Sequence, residues 1–145
     1  MRMAWTFAAC TLAAGLFLAT GLPAFADSVT YKADMTAASE TPPATSKGTG
    51  TLTATDDTAR KKLTWKGSYS GLTGDATAAH FHGPADVGQA AGVAVPINPF
   101  ASPFEGSATL TDAQAADLAA GKWYVNVHTA ANPKGEIRGQ VVKAQ

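Results

Sequence analysis

The run Ala76-Thr77-Ala78-Ala79-His80-Phe81-His82 decides how the chain is read. Gly74-Asp75 precedes it and Gly83-Pro84 follows it, which is the punctuation of a short strand. In an extended strand successive side chains alternate faces. Ala76, Ala78, His80 and His82 therefore share one face, while Thr77, Ala79 and Phe81 share the other. The remaining histidine of the chain, His128, closes a second strand-like run, Trp123-Tyr124-Val125-Asn126-Val127-His128. If these two strands come together, three imidazoles converge on one point.

Outward from this run the same alternation recurs. Val29 to Ala37 reads as a first strand, with Val29, Tyr31, Ala33 and Met35 on one face. Gly48 to Thr55 is threonine-rich and β-prone. Asp56-Asp57 turns the chain into Lys61 to Ser70, which carries Leu63, Trp65 and Tyr69. Val93 to Ile97, Phe104 to Leu110 and Glu136 to Lys143 complete the strands. Glu40-Thr41-Pro42-Pro43 is a turn or an edge, because two prolines remove two backbone donors. Thr111-Asp112-Ala113-Gln114 is a capping box, and Gly121 stands at the C′ position of a helix of about three turns. These elements predict an all-β fold, an antiparallel immunoglobulin-like or Greek-key β-sandwich of about seven to eight strands with one short α-helix.

The first 26 residues read as a secretory signal peptide. Arg2 supplies a positive start, residues 4–22 carry no charge, and Ala24-Phe25-Ala26 is a small-x-small cleavage signal. Residues 27–145 are then a single domain, in the periplasm or secreted, with no membrane attachment after cleavage. The chain has 11 Lys+Arg and 11 Asp+Glu, so no basic excess is available for nucleic-acid phosphates or anionic lipid. The single cysteine, Cys10, lies in the signal segment, so the expected domain is held by its core and by no disulfide.

His80, His82 and His128 are the candidate metal ligands. Neutral imidazole binds copper, zinc, nickel and iron, and three imidazoles without a thiolate suit Cu(II) or Zn(II). Three histidines are too few for a binuclear dismutase-type centre. Water, Glu136, Asp86, Asn126 or Met35 could complete the ligand set, although Met35 also fits a core position. The alternative is that each histidine is a hydrogen-bonded residue at a sheet end. Glu136 and Arg138 stand at i and i+2 and suggest a partly buried ion pair, with Glu40 or Asp75 as other carboxylates for Arg138. There is no Gly-x-Ser-x-Gly nucleophile motif, no phosphate loop and no glycosidase-like carboxylate pair.

Several blocks together resemble one family. They are Glu40-Thr41-Pro42-Pro43, Ser70-Gly71-Leu72-Thr73, residues 78–85 from Ala78 to Ala85, Leu110-Thr111, residues 123–129 from Trp123 to Thr129, and residues 132–140 from Asn132 to Gln140. In this order they are similar to the CHRD domain, a module of chordin and of exported bacterial proteins. The resemblance covers nearly all of residues 27–145 and implies no specific catalytic activity. Expected from the residues and the resemblance together is an exported CHRD-like binding module rather than an enzyme. It would hold copper, with zinc as the alternative, for metal storage, delivery or resistance. A metal-free structural or protein-interaction domain is the competing expectation, with an envelope or extracellular protein as partner. The Asn98-Pro99-Phe100 loop or the sandwich faces would then be its contact surface.

Overall fold

A computed structural model describes residues 27–145. The segment read as a signal peptide lies outside the described residues. Eight strands form: β1 (Ser28–Thr36), β2 (Thr49–Asp57), β3 (Lys62–Ser70), β4 (Ala76–His82), β5 (Val93–Pro96), β6 (Phe104–Thr109), β7 (Trp123–Thr129) and β8 (Ile137–Lys143). They pair antiparallel in one hydrogen-bonded sheet of order β5-β4-β7-β8-β1-β2-β3-β6. β1, β2 and β3 form a meander. The connections β3–β4, β5–β6 and β6–β7 each cross from one half of the sheet to the other.

The sheet folds over on itself to bury its inner face. Trp65 of β3 and Phe81 of β4 stand far apart in strand order, yet their rings meet edge to face at 5.2 Å. Phe81 in turn packs on Trp123 at 5.7 Å. Tyr31, Met35, Leu52, Leu63, Val125, Val127, Ile137 and Val141 fill the same core. The alternation that places Phe81 and Ala79 inward is the one that places His80 and His82 outward. Met35 is therefore a core residue on β1 and stands on the opposite side of the sheet from the histidines.

β1 and β8 lie very close at one point. A Cβ on Gly139 would run into the backbone carbonyl of Asp34, so only glycine permits that approach. The helix α1 (Asp112–Ala119) begins at the expected capping box, with Gln114 N–H donating to Thr111 Oγ1 and Thr111 N–H donating to Gln114 Oε1. It has eight residues, little more than two turns rather than three. Ala120 is its C-cap, and Gly121 ends it at φ 73°. Among the described residues no helix is long and apolar enough to cross a membrane.

Candidate metal centre

β4 and β7 pair directly, with Ala78 opposite His128, His80 opposite Asn126 and His82 opposite Tyr124. These six residues share the outer face of the sheet. The small side chain of Ala78 leaves the space beside His128 open, and the imidazole leans across to its diagonal neighbour on β4. His80 Nδ1 lies 3.1 Å from His128 Nε2. One ligand atom from each of His80, His82 and His128 lies within 4.8 Å of the others. A tetrahedral centre with bonds of 2.0–2.1 Å needs nitrogens about 3.3 Å apart. His80 and His128 are already near that spacing.

This outer face is not a solvent face. His82 is 8 % exposed, Asn126 2 % and Arg138 2 %, because loops from three parts of the chain fold over it. The 83–92 loop brings the Ala91 carbonyl to His82 Nδ1 at 3.0 Å. The turn after β7 brings the Pro133 carbonyl to His128 Nδ1 at 3.0 Å. A shift in the β4–β5 register between Phe81 and His82 turns the end of β4 toward the first of these loops. Both carbonyls accept, so each of these two imidazoles carries its proton on Nδ1, and the His128 Nε2 lone pair faces His80. A backbone carbonyl holding the far nitrogen is the usual outer support of a metal-bound imidazole.

His82 stands under a particular constraint. Its Nε2 lies 3.0 Å from Asn126 Oδ1. The Asn126 amide nitrogen faces the Glu40 carboxyl, whose Oε1 has no donor at full hydrogen-bond geometry. The amide therefore cannot turn its nitrogen toward His82 without setting two oxygens against each other at Glu40. With the Nδ1 proton given to Ala91, the Nε2 lone pair meets a second oxygen. Either a second proton or a cation at Nε2 relieves that contact. The proton is disfavoured: burial pushes the His82 pKa down, outweighing the hydrogen bonds to Ala91 and Asn126 that favour the charged ring. Burial also pushes His80 down, helped by His128 and His82 nearby. His80 and His82 are thus set up as neutral bases.

Aromatic packing fixes the ring planes. His82 stacks on Tyr124 with centroids 4.8 Å apart and planes 3° apart. The Arg138 guanidinium lies 3.5 Å from the centre of the Tyr124 ring. The Tyr124 hydroxyl donates to the Ala91 carbonyl at 3.3 Å and accepts from Ala91 N–H at 3.2 Å, tying the covering loop to the stack.

The other residues weighed as ligands divide clearly. Asn126 is at the cluster. Asp86 is exposed and paired with Lys122 at 2.8 Å. Glu136 is fully buried at the end of the sheet, under five donors. Ser46 and Thr73 N–H reach Oε1, while Thr73 Oγ1, Thr129 and Asn132 reach Oε2. Burial alone would raise its pKa, but these donors outweigh it and hold the carboxylate down at about 2. Glu136 and Arg138 do not form the expected ion pair. Glu136 sits one residue before β8 and is consumed by this loop network. Arg138 instead faces the Tyr124 ring and donates to Thr41 Oγ1 at 3.2 Å, with Glu40 as its nearby opposite charge. The sequence reading did not single out Tyr124. Its signal was the i, i+2, i+4 series Tyr124, Asn126, His128 on one face of a strand whose other face carries Trp123, Val125 and Val127.

An eight-stranded antiparallel domain with three histidines gathered on one outer face is an all-β module with a histidine cluster. The chain belongs to the CHRD domain family, whose model matches residues 31–141. No curated protein and no solved structure matches the chain.

Proposed function

We propose that this CHRD domain is an exported binding module that holds one transition-metal ion through His80, His82 and His128. Copper fits best and zinc is the alternative, since the donor set is three neutral imidazoles with no thiolate. The role is storage, delivery or resistance in the periplasm or outside the cell, and no catalytic step is assigned. One observation carries the reading: three imidazoles with ligand atoms within 4.8 Å, one of which directs a lone pair at an amide oxygen. A cation on the three rings would replace the proton shared by His80 Nδ1 and His128 Nε2 and relieve the contact of His82 Nε2 with the Asn126 oxygen. The test is calorimetric titration of residues 27–145 with Cu(II) and with Zn(II). The expected result is saturable one-to-one binding that weakens more than about 100-fold in His80→Ala plus His128→Ala, beyond the 10–100-fold usual for losing an outer partner. No saturable binding, or binding indifferent to the double substitution, ends the proposal.

A second reading, a metal-free interaction domain for an envelope or extracellular protein, draws on Val87 and Val93. These two are among the most exposed large apolar residues described, and both lie in or beside the loop that covers His82. Phe100, by contrast, packs partly into the core, and its carbonyl accepts from the Tyr69 hydroxyl at 2.9 Å. The Asn98-Pro99-Phe100 loop is therefore the weaker contact surface. Partner binding that survives removal of all three imidazoles would favour this second reading.

A further inference from the structure

Beside the histidine cluster, on the outer face of β8, lies a cleft of about 530 Å³. Arg138 and Gln140 stand in it at i and i+2, with Glu40, Thr41, Val87 and Gly88 around them. Clefts of this size are typical of small-molecule sites. A larger groove of about 580 Å³ crosses β2, β3 and β6 elsewhere, but nothing in it is both buried and unpaired.

The β8 cleft differs in its unmet hydrogen bonds. Arg138 is 2 % exposed and takes part in none of the three ion pairs among the described residues. Its Nη1 donates to Thr41, but Nη2 has no acceptor. Gln140 spends its amide nitrogen on the carbonyls of Ala85 at 3.0 Å and Gly121 at 2.8 Å. Those two acceptors fix the amide orientation and leave Oε1 without a donor. Two side chains on one strand face thus hold a donor and an acceptor without hydrogen-bond partners, while the Glu40 carboxyl in the same cleft, its Oε1 also without a donor, is the charge nearest Arg138. A buried polar group left in this state costs about 1–3 kcal/mol, and more when charged. Only the exposed hydrogen bond from Thr41 Oγ1 to the Gly88 carbonyl, at 3.2 Å, joins the two described rims above them.

We infer that this cleft binds a small carboxylate that also bears a hydroxyl or amino donor next to it. The carboxylate accepts from Arg138 Nη2 and the donor reaches Gln140 Oε1. Residues i and i+2 on a strand are about 6.6 Å apart, a span that one two-carbon acid bridges between longer side chains. The guanidinium is already held flat against Tyr124, so little side-chain freedom is lost on binding. The site uses no histidine and does not depend on the proposal of metal binding.

The test is NMR titration of metal-free residues 27–145 with glycolate, with acetate and ethylene glycol as partial mimics. Glycolate is expected to shift the Thr41, Gly88 and Gln140 amides saturably at millimolar concentration. Acetate should bind several-fold more weakly and ethylene glycol not at all. Arg138→Gln should abolish the shifts. Val87→Trp should do so too, since that 78 % exposed residue can crowd the cleft without touching the core. His80→Ala plus His128→Ala should leave them unchanged, which separates this site from the metal reading. Absence of saturable shifts overturns the inference. So do equal binding of acetate, binding that persists in both Arg138→Gln and Val87→Trp, or a high-resolution structure with glycolate present in which water alone bridges Nη2 and Oε1.

Discussion

His82 and Tyr124 lie face to face, 4.8 Å apart and 3° from parallel, as directly opposed residues of β4 and β7. The stack does two things at once. It fixes the plane of an imidazole whose two nitrogens both face oxygens, and it presents the other side of the phenol to Arg138. The metal cluster and the β8 cleft therefore share one aromatic wall.

Replacing that wall should separate packing from hydrogen bonding. Tyr124→Phe keeps the stack and loses the hydroxyl's bonds to Ala91, so it should cost about 1 kcal/mol of stability and leave metal affinity nearly intact. Tyr124→Leu removes the ring as well. It should lower metal affinity by about tenfold and destabilise the fold by about 2 kcal/mol. Urea unfolding and calorimetry on both variants check this. Equal metal affinity in the two variants would show that the stack does not orient His82.

Metal binding should persist to lower pH than exposed imidazoles allow. A ligand histidine must be neutral, and ordinary imidazole is half protonated near pH 6.5. Burial first, then neighbouring imidazole, moves His80 down, and burial moves His82 down. At His80 and His82 protons therefore compete mainly below 6.5, and the part of the affinity these two rings carry should change little from pH 8 to about 6.5 and fall beneath that. Calorimetric titrations across this range test it. A fall that begins above pH 7 would contradict it.

Glu136 should make the fold acid-sensitive in a defined window. Its folded pKa, about 2, lies below the ordinary value of 4.5. The unfolded chain thus takes up the proton first, and stability is lost as pH falls from about 4.5 toward 2. Glu136→Gln should flatten this loss. It should also cost about 3 kcal/mol at neutral pH, because the amide nitrogen then meets either the Thr73 N–H or the Asn132 amide, whichever oxygen it replaces. Denaturant unfolding of both proteins between pH 2 and 7 measures it.

Gly139→Ala should destabilise the domain by about 2–4 kcal/mol without touching the metal cluster. The added Cβ meets the Asp34 carbonyl, which is backbone and cannot swing aside as a side chain would. The expected result is a lower unfolding midpoint with unchanged metal stoichiometry. An unchanged midpoint would show that β1 and β8 can separate locally at no cost.

Much of this was legible in the sequence because it rests on local rules. The period-2 alternation of Ala76 to His82 is carried by the residues themselves, and so are the Thr111 and Gln114 cap and the glycine at 121. The convergence of His128 on His80 follows from the pairing of β4 with β7. What was not legible depends on loops closing over a face. Glu40 precedes two prolines and looks like turn surface, yet it is 6 % exposed beside Asn126. Glu136 and Arg138 have the spacing of an ion pair, but competing donors from Ser46, Thr73 and Thr129 claim the carboxylate. Nothing in the spacing announces those donors, which come from 7 to 90 residues away.

The most direct test of the central claim is anomalous diffraction at the copper edge from crystals of residues 27–145 grown with Cu(II). The account predicts one strong peak about 2.0–2.1 Å from a ring nitrogen of each of His80, His82 and His128, with the His82–Asn126 contact opened. A peak placed elsewhere, or a structure in which His82 Nε2 still faces Asn126 with no ion on the three rings, would contradict it.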